Sequence, residues 1–239
     1  MKIVAISGWA KSGKDTSADY LIANGYKRVA FADILKSMVA DQYQIPVEFC
    51  HMQEFKETPL EQYPVTPKDA FSLAIAKMMF KEFRTLQGQP PMEYHIDASG
   101  AFIGLIGREP RQLYWTPRAL CILEGSIKRS VNSNYWVGKV VSYIDDFQKD
   151  APYTSPETGE VILTGDVVIS DLRYTSEVTQ LKQAFKKNLQ TVRINRFDST
   201  PSADASENDL NNHKFDVTIE NRGTLDEFIV KLDMEILND

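Results

Sequence analysis

The stretch ISGWAKSGKDTSADYLI, residues 6–22, constrains the fold of this chain more than any other. An apolar run at residues 2–7 leads into Gly8-x-x-x-x-Gly13-Lys14, and Ala18, Leu21 and Ile22 then recur at helical spacing. A strand that enters such a loop and leaves it as a helix is the setting of a phosphate-binding loop. Glycines let the backbone curl until successive N–H groups and the positive end of the helix face one anion. On this reading Gly8, Lys11, Ser12 and Gly13 line the loop, and Lys14 reaches the β- and γ-phosphates as a point charge. The plainer alternative is a glycine-rich turn with a solvated lysine, and the strand before and helix after weigh against it. Asp15 stands where Ser or Thr usually follows the lysine, with Thr16 one step later. Thr16 can serve on the Mg²⁺ or α-phosphate side, while Asp15 adds a carboxylate near Mg²⁺ and the γ-phosphate, or simply suits the helix dipole.

Beyond the loop the text alternates. Asn24-Gly25 stops the first helix, residues 27–31 read as a second strand, and Ile34, Leu35, Met38 and Val39 mark a helix opened by an Asp33 cap. Residues 46–67 are polar and broken by prolines. An amphipathic helix follows, carrying Phe71, Ile75, Met78, Met79, Phe83 and Leu86, and then a hairpin around residues 97–100. Thr116 and Pro117 open another helix as N-cap and first residue, and a further one is expected over 134–150. Residues 151–166 are turn-rich and read as a mobile flap. Residues 167–170 form an unbroken apolar run suited to a buried parallel strand. A helix (175–187), a strand (191–195), a polar loop (196–214) and a last strand (215–220) follow. A Thr224/Glu227 capping box then opens the C-terminal helix. Strands alternating with helices predict an α/β fold with a parallel sheet. One 239-residue domain is expected, its core at 1–45 and 166–239 and an insertion at about 46–165.

Charge and composition exclude some classes. The net charge of −6 argues against a polymeric nucleic-acid binder, and no apolar stretch is long enough to span a membrane. Cys50 and Cys121 are far apart in unrelated contexts and read as reduced thiols of a cytoplasmic chain. His51, His95 and His213 share no metal-ligand spacing.

A second charged constellation lies where the 167–170 strand ends. In an open parallel sheet ligands bind at that edge. Asp171 is suited to hold Mg²⁺ through water or to orient an acceptor phosphate, and Arg173 to contact phosphate. Glu177 is spaced to pair with Arg173; the same trio also suits a helix-start salt bridge. Arg118 occupies the first turn of its helix, where the dipole disfavours a cation and a bound phosphate would favour one. Lys128 and Arg129, in the last turn, are favourable without a ligand.

The residues Ser7-Gly8…Ser12-Gly13-Lys14-Asp15-Thr16…Ala18-Asp19 resemble the phage-type deoxynucleoside monophosphate kinases. So do FADILK (31–36), TPRALCILEG with NYWV (116–125, 134–137), VVISDLRYTSE (167–177) and the closing DVTIENRGTLDEF. The resemblance covers the sheet-forming portions, while residues 46–115 resemble the family weakly. It implies a phosphate-loop kinase with a five-stranded parallel sheet, helices on both faces and a mainly helical substrate-binding insertion. The implied activity is ATP- and Mg²⁺-dependent phosphorylation of deoxynucleoside monophosphates to diphosphates for dNTP synthesis, in the cytoplasm (the host's, if phage-encoded). Lys14, Asp15, Asp171 and Arg173 are the catalytic candidates, and Asp15, Thr16 and Asp171 the candidates toward Mg²⁺. Arg118 is implied to hold the monophosphate, with Asp33, Lys36, Arg129, Trp136, Asp171, Arg173 and Glu177 as further substrate candidates. A homodimer is also implied. Ile122 replaces a glutamine frequent in the family, which removes a base-contacting candidate. The rivals are another small-molecule kinase of phosphomevalonate type and a nucleotide-binding regulatory ATPase; a GTPase switch lacks its N-K-x-D and D-x-x-G motifs here.

Overall fold

The computed structural model describes residues 1–86, 93–106, 109–149, 153–154, 161–162, 165–196 and 208–238. In chain order, β1 (Ile3–Ser7) precedes α1 (Lys14–Ala23), and β2 (Lys27–Val29) precedes α2 (Phe31–Tyr43) and the one-turn α3 (Glu48–His51). Then come α4 (Ala70–Leu86), β3 (Glu93–Ile96), β4 (Phe102–Ile106), β5 (Glu109–Gln112), α5 (Pro117–Val131) and α6 (Tyr135–Lys149). The short strands β6 (Tyr153–Thr154) and β7 (Val161–Ile162) lead to β8 (Val167–Ile169), α7 (Thr175–Phe185), β9 (Leu189–Asn195), β10 (Val217–Glu220) and α8 (Leu225–Leu232).

Five strands form one parallel sheet in the order β10-β9-β1-β8-β2. The central strand explains itself. Ile3, Val4, Ala5 and Ile6 are each 0% exposed, as a continuous apolar run must be when both faces of the sheet are covered. Val4, Ile6, Val168, Val192 and Ile194 pack with Ala18 and Leu21 of α1 and with Phe228 and Leu232 of α8. The alternate set, Ile3, Ala5, Val167 and Ile169, is equally buried; α7 lies against β9, and α6 against α7. β2 and β10 are the edges and are less buried, and Lys27 and Arg28 on the three-residue β2 discourage further pairing. The connection leaving β1 runs toward β2 and the one leaving β9 toward β10, so the strand order reverses at the carboxyl end of β1. That is where open α/β sheets bind ligands.

The chain divides into two compact units, Met1–Ile34 with Asn132–Asp239, and Leu35–Val131. The insertion expected at about 46–165 thus differs from the compact unit at both ends, and α6 belongs with the sheet. The second unit contains an apolar cluster of Val39, Val65, Phe102, Leu113, Trp115 and Leu120. Its antiparallel sheet, β3-β4-β5, includes the expected hairpin and one strand more. Asp97 Oδ1 closes the hairpin turn by accepting from the N–H groups of Ser99 and Ala101, and Gly100 takes φ +85°.

Several local expectations need correcting. α2 starts at Phe31, two residues before Asp33, so Asp33 is not its cap. α4 directs Leu73, Ala76 and Phe80 to the core, whereas Phe71 and Met78 are 42% and 48% exposed. Cys50 and Cys121, read as unrelated, share one apolar cluster, where burial pushes Cys121 up to about 12. Both are free. Of the expected flap over 151–166, β6 and β7 pair antiparallel, and residues 151–152, 155–160 and 163–164 lie outside the described residues. Within the loop expected at 196–214, residues 197–207 lie outside them too.

Candidate functional site

The loop between β1 and α1 is assembled by close approach. Gly13 adopts φ +109°, and a Cβ there would lie 2.7 Å from Asn221 Nδ2 and 3.3 Å from the Phe228 ring. A Cβ on Gly8 would lie 2.6 Å from the Ile194 carbonyl oxygen and 2.5 Å from Ser12 Oγ. Glycine is therefore required at both positions by space, and at Gly13 also by backbone conformation. Lys11 takes φ +63°, a cost for a residue with a Cβ, and so contributes to the tight curl. Asn221, immediately after β10, donates from Nδ2 to the Ser12 carbonyl at 2.9 Å and ties the loop to the sheet.

Two groups in the loop face an unmet requirement. Ser12 is 0% exposed, and its Oγ has no hydrogen-bond partner among the described residues. A buried hydroxyl in that condition costs about 1–3 kcal/mol. α1 begins with Gly13 as N-cap, a residue with no side chain to offer its first N–H groups. A buried orphan hydroxyl, a glycine-shaped cradle and a helix N-terminus opened by glycine together fit a polyphosphate. Lys14 Nζ meanwhile donates to the Trp9 carbonyl oxygen at 2.8 Å, within its own loop. Asp15 is exposed and Thr16 half-buried in the first turn of α1. They are hard oxygen donors, the type that takes Mg²⁺ alongside phosphate oxygens. Among the described residues no group of three or more His, Cys, Asp or Glu is arranged to hold a metal by itself.

The carboxyl end of β8 carries the second cluster. Asp171 Oδ1 accepts from the Phe31 N–H and Oδ2 from the Ala32 N–H, each at 2.9 Å, so Asp171 is the cap of α2. Burial pushes its carboxyl up, against the pull of the two main-chain donors and of Arg173. A ligand would meet only the remaining lone pairs of this carboxylate. Asp33, displaced from the capping role, accepts from Arg28 NH1 at 2.6 Å. Glu177 is buried, and its Oε2 accepts from the N–H groups of Arg173 and Tyr174 at 2.9 and 3.0 Å, closing a capping box on α7. Arg173 itself is exposed.

The remaining predicted residues are spread out. Trp136 is 4% exposed within α6, edge-on to Tyr135. Lys36, Arg118 and Arg129 belong to the second unit. Lys36 Nζ lies 3.3 Å from His51 Nδ1, and Arg129 is half-buried in the last turn of α5. Arg118 follows the Thr116 cap and pairs through NH1 with Glu57 Oε1 at 3.2 Å, an exposed contact that an incoming anion can exchange.

Of the residues at the loop, Arg193 had no place in the sequence reading, and Ser7 and Asn221 entered it only within stretches that carry the resemblance. Arg193 NH1 donates to Ser7 Oγ at 3.1 Å. The available signal was a cation inside the buried run LQTVRIN. No family model matches the chain, and no curated protein matches it significantly.

Proposed function

We propose that the chain is a phosphate-loop kinase that transfers the γ-phosphoryl group of ATP to a deoxynucleoside monophosphate. The observation that carries this reading is the loop itself: Gly8 to Lys14 at the carboxyl end of the central parallel strand, with a helix opened by Gly13 and an orphan buried hydroxyl on Ser12. Phosphoryl transfer asks a protein chiefly for positioning and charge neutralisation. Main-chain N–H groups and Ser12 Oγ orient the β- and γ-phosphates. Lys14 Nζ, released from the Trp9 carbonyl, neutralises charge as it builds on the transferred group. Mg²⁺, held by Asp15 and Thr16 with the phosphates, would add further neutralisation. Arg118, in its exchangeable pair with Glu57, is the proposed contact to the acceptor monophosphate, and Arg173 a further phosphate-binding cation.

ADP formation from ATP–Mg²⁺ across a panel of ribo- and deoxynucleoside monophosphates tests the reading. Turnover that depends on one or more deoxynucleoside monophosphates is expected. Hydrolysis indifferent to any acceptor would mark a regulatory ATPase instead. Turnover only with a non-nucleotide phosphate acceptor would point to a kinase of phosphomevalonate type.

A further inference from the structure

Arg193 is a buried cation with no role in the chemistry above. It stands on β9 in register with Ser7 of β1 and is 7% exposed. Besides NH1 on Ser7 Oγ, NH2 donates to Asn211 Oδ1 at 3.3 Å and Nε to Asn195 Oδ1 at 3.4 Å. The guanidinium carbon lies 5.3 Å from the Trp9 ring centre and 5.8 Å from that of Phe215. Trp9 is further fixed by its Nε1 donating to Asn211 Oδ1 at 3.2 Å. Every acceptor is neutral. Among the described residues no carboxylate forms an ion pair with Arg193.

Such an arrangement is expensive. A guanidinium does not escape burial by losing its proton at neutral pH, and a buried charge is normally paired. Hydrogen bonds to Ser7 and two asparagines soften the penalty without cancelling the charge. Volume alone would be served by methionine. The position is informative, because the guanidinium touches the residues on either side of Gly8: Ser7 through its hydroxyl and Trp9 across its ring face. Trp9 is also the residue whose carbonyl receives Lys14 Nζ.

We propose that Arg193 is a second fixed cation of the phosphate site, its charge balanced by bound polyphosphate rather than by a carboxylate among the described residues. It acts as a positioning residue, holding Ser7 and Trp9 around Gly8 and placing a permanent positive potential behind the loop. This rests on the reading of residues 8–14 as a polyphosphate loop.

The test uses the full chain, with ADP and inorganic tripolyphosphate as probes in titration calorimetry at several salt concentrations. Unfolding without ligand is measured in parallel. R193M is expected to bind both probes about tenfold or more weakly, since a full charge near the phosphates is removed. Its affinity should also depend less on salt. Its ligand-free melting temperature should stay level or rise, as when a buried ion gives way to an apolar side chain of similar size. R193K, which keeps the charge and loses the planar fork, should recover part of the affinity. Wild-type affinity in R193M would overturn the inference. So would a fall in the ligand-free melting temperature with affinity unchanged, which would mean that the guanidinium is neutralised within the chain. A wild-type chain that binds neither probe would remove the loop reading itself, and this inference with it.

Discussion

α1 and α2 start at the same edge of one parallel sheet, yet their first turns are treated in opposite ways. α2 receives a carboxylate from Asp171, distant in sequence, and two of its N–H groups are satisfied inside the protein. α1 has a glycine as its cap, Gly13, which brings no side chain of its own. Each helix end carries unsatisfied donors and a positive partial charge, so each needs an anion or water. The fold supplies an internal anion for α2, whereas for α1 the proposed anion is a bound phosphate. Two helices of the other unit give intermediate cases. α4 is capped locally by the exposed Asp69, whose Oδ1 accepts from the Ser72 N–H at 2.7 Å. α5 has a cation, Arg118, in its first turn, answered by Glu57 across a solvated contact. The open end and the exchangeable one are where ligand binding is expected; the closed ends are structural.

The comparison breaks most visibly at Lys14. Lys14→Met is expected to lower turnover about 100-fold or more, the scale seen when a group aimed at developing charge is removed. Its unfolding midpoint should barely move, and steady-state kinetics beside thermal unfolding checks both. Next, Arg118→Ala should weaken monophosphate binding by about 1.5–3 kcal/mol, the range for a charge-assisted hydrogen bond, while ATP affinity holds. Equal losses for both ligands would end its assignment to the acceptor. For the closed end the order reverses. Asp171→Ala should cost about 1–2 kcal/mol of stability in urea unfolding, as for the loss of a strong cap, with hydrogen exchange rising first at Phe31 and Ala32. Ser12→Ala sharpens the contrast: it should raise ligand-free stability by up to about 1 kcal/mol by deleting an unsatisfied hydroxyl, and lower polyphosphate affinity.

The smallest effect is the pH response of α4. Hydrogen bonds from Ser72 hold the Asp69 carboxyl below the usual carboxylate range. Its contribution is therefore present above the unfolded carboxyl's pKa and lost as pH falls through the lower folded value. NMR titration should show the first turn of α4 loosening only in acid, and Asp69→Asn should remove that pH dependence.

What the sequence made legible follows the range of the interactions involved. β1, the loop and α1 are encoded within about twenty residues. The Thr116 cap and the Thr224/Glu227 box are likewise local, and the strand, the helix and both caps stand as expected. Asp33 was mistaken for the cap of α2 because the true cap is 140 residues from Phe31, beyond any local pattern. β5 escaped because Glu-Pro-Arg-Gln shows no apolar alternation, which an exposed edge strand does not need. The two thiols were separated in the text and joined by the packing of α3 on α5. Of the candidate site, the loop residues proposed to face a ligand were legible from spacing. Those that hold the loop from behind, Asn221 and Arg193, were not, because their roles exist only once β9 and β10 lie beside β1.

That last point bears on how the protein is made. The glycine loop leaves the ribosome well before the groups that shape it, Ile194, Asn221 and Phe228. Until residue 228 has been synthesised, residues 8–14 lack the wall against which Gly13 is pressed. A nascent chain shorter than that carries the phosphate motif as text without its form. On the proposed reading, nucleotide capture should then switch on only when α8 closes over a loop finished in sequence some two hundred residues earlier.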